Sequence, residues 1–204
     1  MTRELALRLF DFGAILRLRR IRDAEAALAV AALIVVLAVG VLNVLLVAVA
    51  LSIGVFVYRT VRPHDAVLGH LEDIDGYRDI DENEGGQTLP GLLVYRFDAG
   101  LYFPNVPFFA ERIKALEARA DVPVCWVIVN TEAVTYIDAT AIDTLRELRS
   151  ELAKRDVVLA LARPKASLRR VLKDTGLAAE FGEVHMFPTV RAGVAAYRVR
   201  SAPE

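Results

Sequence analysis

The stretch that decides the fold runs from Ala26 to Tyr58 and reads AALAVAALIVVLAVGVLNVLLVAVALSIGVFVY. It contains no acidic residue, no lysine, no arginine and no histidine. As a single helix it would be roughly 50 Å long, whereas the hydrocarbon core of a bilayer is about 30 Å thick. Two short spans joined near Gly40 and Asn43 fit this thickness better, because these residues form a turn signal close to the midpoint. The stretch therefore predicts a transmembrane helical hairpin over residues 24–58.

Positive charge lies on both sides of the apolar stretch. Four arginines lie shortly before it and two shortly after it, namely Arg17, Arg19, Arg20, Arg22, Arg59 and Arg62. Arginine and lysine are enriched at cytoplasmic membrane boundaries, so both ends are expected in the cytoplasm, which requires an even number of crossings. This pattern indicates a multi-pass protein of the inner or plasma membrane. Two alternatives remain open at this point: one long tilted helix, and a buried core helix of a soluble protein.

Composition divides the chain into a membrane part and about one soluble domain. The 204 residues are 55% hydrophobic, with a mean hydropathy of +0.38, and the apolar excess lies in the membrane stretch. A net charge of −1 gives no indication of a nucleic-acid partner. The single cysteine, Cys125, excludes an intramolecular disulfide. The apolar run is too long for a secretory signal peptide and begins too late.

Residues 1–23 mix apolar side chains with arginine. Leu5, Leu9, Phe12 and Leu16 recur at helical spacing. This spacing is typical of an amphipathic helix lying on membrane lipid. It fits equally a connecting segment whose arginines only enforce topology.

Residues 59–87 are interpreted as an acidic linker. Arg62-Pro63-His64 ends the second span, since proline disfavours helix in the residue before it. Seven acidic residues follow within 72–84. His64 and His70 are interpreted as solvated residues, because no cysteine or third histidine joins them at ligand spacing. A calcium loop would place Leu71 at its first ligand position, so no metal site is predicted here.

From residue 88 to 204 the pattern predicts a compact α/β domain. Apolar runs predict strands and 3.6-residue periodicity predicts helices, which together indicate a mixed sheet of four to five strands. Cys125 and Trp126 fall in an unbroken apolar run and are expected in the core. The expected strands are 92–97, 124–129, 157–162 and 186–187, with a further short strand at 101–103, and the expected helices are 105–119, 139–152, 165–174 and one that begins after Thr189.

One segment could carry chemistry: TYIDATA, residues 135–141. Asp138 is placed to cap the second helix of the domain by accepting from its first backbone N–H groups. Thr140 follows in the first turn, where its hydroxyl should face solvent. The helix N-terminus would favour a phosphate on Thr140, and the Asp138 carboxylate would oppose it. No catalytic triad, glycine-rich nucleotide loop or metal-ligand cluster is evident in the sequence, so neither an enzyme nor a cofactor is predicted.

The sequence resembles the SulP-type anion permeases and their STAS domain. The resemblance rests on GLLVYRFDAGLYFPN, WVIVNTEAVTYIDATAIDTL, LARPKASLRRVLKDTGL and MFPTVRAGVAAY, and it extends upstream through the apolar stretch and Arg62-Pro63-His64. It implies a cytoplasmic STAS domain after the last two membrane helices of a secondary transporter of sulfate, bicarbonate or related anions. It also implies membrane lipid, further transporter helices and a second copy of the chain as partners.

Such permeases carry about fourteen membrane segments, with the anion site far upstream of the region that matches here. The chain is thus expected to be a C-terminal portion that does not transport alone. STAS domains also occur as anti-sigma-factor antagonists, in which a kinase phosphorylates a serine or threonine of an Asp-Ser-Ser-like loop. By this resemblance Asp138 and Thr140 form a regulatory loop for a kinase or a nucleotide. The alternative function is accordingly a membrane-tethered regulatory or protein-interaction module.

Overall fold

The computed structural model describes residues 40–71, 74–83 and 85–201. The segment expected to be amphipathic, 1–23, and the first half of the expected hairpin, 24–39, lie outside the described residues. Helix α1 falls mainly in a first unit that ends at Val57, and a second unit runs from Tyr58 to Glu204.

Helix α1, Val41–Val61, is long and apolar enough to cross a membrane. Its 21 residues correspond to about 32 Å at 1.5 Å per residue. It begins directly after Gly40, which has a left-handed φ of +88° and lies where the turn was expected. Asn43, expected in that turn, lies instead in the first turn of α1. The helix ends before Pro63, as predicted.

A mixed sheet forms the centre of the second unit. Among the described residues it has six strands in the order β2-β1-β3-β4-β5-β6. Strand β1 pairs antiparallel with β2 and β3, while β3, β4, β5 and β6 are parallel. The strands are β1 (Asp65–Leu71), β2 (Ile74–Asp79), β3 (Leu92–Phe97), β4 (Trp126–Asn130), β5 (Val158–Ala162) and β6 (Met186–Phe187).

Two of these strands occupy the segment expected to be an acidic linker, and this raises the strand number above the expected four to five. Ala66 and Leu68 of β1 are 2% and 3% exposed, so alternate side chains face the core despite the acidic surroundings. Asp65 anchors the strand, because its Oδ2 accepts from Arg112 Nε at 2.8 Å. Asp79, at the end of β2, is itself only 4% exposed, so the acidic composition of the segment does not mean that it is a solvated linker.

Helices cover both faces of the sheet. On one face, α2 (Val106–Ala118), α3 (Ala139–Ala153), α4 (Ala166–Asp174) and α5 (Leu177–Phe181) pack on inward side chains that include Tyr95, Val129 and Leu161. On the other face, α6 (Val190–Ser201) packs on the alternate strand residues. This arrangement explains the unbroken apolar run of β4, which is covered on both sides.

Close packing of α6 on the sheet depends on a glycine. A Cβ at Gly193 would lie 3.0 Å from a Phe187 ring carbon and 3.1 Å from Ile128 Cδ1. Further along the helix, Tyr197 donates its hydroxyl to Pro90 O at 2.6 Å. These contacts hold α6 against the sheet from Gly193 to Tyr197.

Two local expectations were wrong. Residues 101–103 form no strand, since Leu101 makes only an isolated parallel bridge to Ile137. Cys125 is exposed because it precedes β4, whereas Trp126 begins the strand and is 5% exposed.

Candidate functional site

Asp138 and Thr140 lie at the start of α3, in the connection that follows β4. Asp138 has extended backbone angles, and its Oδ1 accepts from the N–H of Ala141 at 2.8 Å. This is the N-cap geometry that the sequence predicts. Thr140 is exposed in the first turn, and its carbonyl accepts from the Thr144 hydroxyl at 2.9 Å.

The same carboxylate joins a second loop to the first. Oδ2 of Asp138 accepts from the N–H of Phe103 at 2.8 Å. The backbones pair in addition, because Asp138 N donates to Leu101 O and Leu101 N donates to Tyr136 O at 3.2 and 2.9 Å. Asp138, which caps α3, therefore also holds the loop between β3 and α2 against the loop between β4 and α3.

Buried Asn105 completes the second loop. Its side-chain nitrogen donates to Gly100 O at 2.9 Å, and its Oδ1 accepts from Tyr102 N at 3.0 Å. It is fully buried, so these bonds satisfy a polar side chain that water cannot reach. The loop thereby presents Phe103 outward with 69% of its side chain exposed.

The arrangement supports recognition better than catalysis. Both carboxylate oxygens of Asp138 are occupied by backbone N–H groups, which suits a structural role and leaves little capacity to act as a base. The two loops that Asp138 joins expose the aromatic side chains of Phe103 and Tyr136, the latter 62% exposed, and Thr140 is exposed two residues after Asp138. We call Phe103, Tyr136 and Thr140 the aromatic loop surface.

The part played by Phe103 was missed at the sequence level. Its N–H meets Asp138 across 35 positions of sequence, and only the topology brings the two loops together. The available signal was weak: two polar turn segments that each follow a parallel strand, and such turns meet at one edge of a sheet.

His64 has partners that the sequence did not indicate. Its Nδ1 lies 2.9 Å from Asp98 Oδ2, and Arg96 Nε lies 2.9 Å from Asp98 Oδ1. The interpretation of His64 as a solvated linker residue was therefore incomplete, although its side chain is 54% exposed. The hydrogen bond to Asp98 raises the pKa of His64 above its usual 6.5.

A metal ion is not favoured at this cluster. His64, Asp79 and Glu82 could bring one ligand atom each within 4.8 Å of one another. Asp79 Oδ1, however, already accepts from Asp81 N at 2.9 Å. The Arg96 guanidinium, 3.9 Å from Asp79 Oδ2, would also repel a cation. The cluster is better described as an ion-pair group at the junction between α1 and β1.

Comparison with known proteins identifies the family. The model of the STAS domain matches residues 86–193, more than half of the chain. The chain belongs to the STAS domain family. This result confirms the resemblance seen in the sequence, and the six-stranded mixed sheet is this chain's version of the STAS fold.

Sulfate transporters match most of the chain. A probable sulfate transporter of Mycobacterium tuberculosis strain H37Rv is 42% identical over 195 residues, which cover 96% of this chain and 35% of that protein. The chain thus spans about a third of the length of the curated relative. The similarity includes the region of α1 as well as the STAS domain.

Solved structures share the fold. The murine solute carrier 26 family member A9 anion transporter, in its inward-facing state, superposes with a TM-score of 0.68 at 21% identity, covering 95% of this chain and 31% of that one. A sulfate transporter family protein from Wolinella succinogenes gives 0.50 at 23% identity, covering 61% of this chain and 100% of that one. At these identities the likeness concerns the fold alone.

Proposed function

We propose that the chain is the C-terminal part of a SulP-type secondary anion transporter and that its STAS domain is the regulatory part. One observation carries the proposal: a membrane-length helix leads through Arg62-Pro63-His64 into a STAS fold, in a sequence 42% identical to a probable sulfate transporter over 96% of its length. The transported class would be sulfate or a related small oxyanion.

The apolar stretch lacks the groups that a transport site needs. An anion crossing a bilayer needs donors or positive helix ends at mid-depth. Between Ala26 and Tyr58 the polar side chains are only Asn43, Ser52 and the terminal tyrosine. Transport would therefore require further membrane helices, and we expect no transport by these 204 residues alone.

Topology follows from the charges that flank the apolar stretch. The arginines before Ala26 and after Tyr58 favour a hairpin with both ends in the cytoplasm. The STAS domain would then be cytoplasmic, in a multi-pass protein of the inner or plasma membrane. Its partners would be membrane lipid, the remaining transporter helices and a second copy of the transporter, and no enzymatic role is proposed.

A chimera tests this function. The chain would replace the matching 195 residues of the Mycobacterium tuberculosis relative, and sulfate uptake would be measured in reconstituted vesicles beside the chain alone. We expect uptake by the chimera and none by the chain above empty vesicles. Saturable uptake by the chain alone would overturn the assignment of the transport site, and an inactive chimera that folds and inserts would argue against a transporter part.

The exposed loop favours a second function, regulation through a partner. We infer that Asp138 positions the aromatic loop surface and that Thr140 is its modification or contact point, for a kinase or a nucleotide. Thr140 is exposed at a helix start, and the two loops joined by Asp138 each expose an aromatic side chain, a residue type enriched where proteins bind one another. This surface would equally serve a membrane-tethered regulatory module.

The regulatory role predicts that Thr140→Asp alters the uptake rate of the chimera without changing its anion selectivity. Thr135→Asp is the matched control, since Thr135 is exposed in the same connection but precedes the helix. Equal effects of both substitutions would indicate a general charge effect and would remove Thr140 from the proposal.

A further inference from the structure

A second polar region lies on the α6 face of the STAS domain. A cavity of about 370 Å³ opens between the β1–β2 hairpin, the carboxyl ends of β4 and β5, and the start of α6. In open sheets with parallel strands, ligands bind preferentially at the carboxyl ends of the strands. The cavity plays no part in the proposed transport or in the aromatic loop surface.

Positive charge converges on the cavity from three elements. Arg78 comes from β2, Arg163 follows β5, and Arg191 lies in the first turn of α6. Among the described lining residues there is no carboxylate side chain. Arg163 pairs with Glu132 beside the cavity, with both side chains 48% exposed. Three guanidinium groups that line one cavity favour an anion.

The start of α6 adds backbone donors. Thr189 caps this helix of 12 residues: its Oγ1 accepts from Ala192 N at 3.0 Å, and its carbonyl accepts from Gly193 N at 3.2 Å. The backbone N–H of Val190 lies before these two N–H groups and has no acceptor within the helix. Thr189 and Val190 line the cavity, so the positive end of the helix contributes to it.

Asn130 supplies an independent indication of a ligand. It is the last residue of β4, lines the cavity and is only 7% exposed. Its Oδ1 accepts from Glu132 N at 3.2 Å, which orients the carboxamide. Within the described part of the chain its side-chain nitrogen donates to no protein acceptor, and this nitrogen is accessible, so it can donate to a ligand bound in the cavity.

The backbone at Arg163 is held in an unfavourable conformation. Its φ of 58° lies in the left-handed region, which is uncommon for a residue other than glycine. The N–H of Arg163 donates to Phe187 O at 2.9 Å, which fixes this conformation. Backbone strain of this sort concentrates at functional sites.

We propose that this cavity binds a fully deprotonated tetrahedral oxyanion, with sulfate as the model ligand. Guanidinium, amide and carboxamide donors satisfy an anion that only accepts hydrogen bonds. Hydrogen phosphate carries an O–H that needs an acceptor, whereas the guanidinium groups, the Val190 N–H and the Asn130 side-chain nitrogen offer donors only. The proposal does not depend on whether the chain takes part in transport.

The first test uses the unmodified full chain, purified in a neutral detergent. Isothermal titration at constant ionic strength compares sodium sulfate, sodium hydrogen phosphate, sodium chloride and a short-chain phosphatidic acid. We expect one sulfate per chain and about tenfold weaker binding of hydrogen phosphate, since an unmatched donor is penalised. Equal responses to sulfate and chloride would overturn the site. If the phosphatidic acid binds and sulfate does not, the ligand is a lipid headgroup and the proposal of a free anion is wrong.

Variants then locate the bound anion. Arg191→Gln and Asn130→Asp should each weaken sulfate binding about tenfold or more, because they remove a charge-assisted bond or place a carboxylate against the anion. Lys173→Gln is the matched control, since it removes one positive charge from another cavity. Thermal unfolding without sulfate confirms that each variant is folded. Sulfate affinity unchanged in both folded variants, or weakened equally by Lys173→Gln, would place the anion elsewhere.

Discussion

At the scale of single residues, Asp138 shows how one side chain organises two loops. Capping alone would require one of its oxygens, yet the second oxygen holds Phe103 N at the same distance of 2.8 Å. The aromatic loop surface therefore depends on a carboxylate that does not belong to it.

Asp138→Ala should lower the free energy of unfolding by about 2 kcal/mol, since loss of an N-cap costs about 1 kcal/mol and a second N–H loses its partner as well. Asp138→Asn should cost less, because its carbonyl can still cap α3 while its NH2 faces the Phe103 N–H. Denaturant titration followed by the fluorescence of Trp126, the only tryptophan, measures both. Equal stability of all three proteins would contradict the role given to the carboxylate.

His64 provides a pH-dependent residue at the junction. Asp98 is its hydrogen-bond partner, Asp79 and Glu82 also face it, and Arg96 opposes its charge. Since the native pKa lies above 6.5, the folded chain holds the proton more tightly than the unfolded chain. The stabilisation is thus fully present below about pH 6.5 and is lost as the pH rises through the native pKa.

Asp98→Asn should lower the His64 midpoint measured by NMR titration in the full chain, because the largest cause of the raised pKa is removed. His64→Gln should remove the corresponding fall in stability above about pH 6.5 and leave the rest of the profile unchanged. A His64 midpoint that Asp98→Asn does not move would show that another group sets it.

At the scale of elements, periodicity predicted the strands and helices that bury one face or both. The faces of α3 and α6 follow from Leu145, Leu148 and Val194, all almost fully buried. Strand β1 was missed because seven acidic residues nearby dominate the pattern, while only Ala66 and Leu68 mark its buried side. The cavity lined by Arg78, Arg163 and Arg191 could not be predicted either, since its lining residues on β2, β4 and α6 come together only through the sheet order.

The β1–β2 hairpin should be part of the folding unit. A fragment of residues 62–204 should unfold cooperatively, whereas a fragment of residues 88–204 should be less stable by about 2 kcal/mol or more, since burial of one leucine alone contributes about 1.5–3 kcal/mol. The shorter fragment should also associate, because removal of β1 leaves the edge of β3 unpaired. Denaturant titration and size-exclusion chromatography compare the two, and equal behaviour would show that residue 88 is a sufficient boundary.

At the scale of the whole molecule, the sequence predicts more than the described residues cover. Helix α1 is long and apolar enough for one membrane span, and Gly40, which precedes it, lies where a hairpin would turn. Residues 24–39 have a similar apolar composition but lie outside the described residues. Side-of-membrane measurements are therefore the direct way to distinguish a hairpin from a single span.

A hairpin would place both ends of the chain on the cytoplasmic side, as the arginines that flank both ends of Ala26–Tyr58 favour. Cys125 is exposed and would react on its own, so it is first replaced by serine. Two variants, Thr2→Cys and Ser201→Cys, then carry one cysteine each. Each variant is treated with a membrane-impermeant thiol reagent in intact cells, and again after permeabilisation. Both should be protected until the membrane is opened. Labelling of only one in intact cells would mean an odd number of crossings. A single span would put one of the two flanking groups of arginines on the side opposite the cytoplasm, whereas arginines are enriched on the cytoplasmic side of membrane proteins.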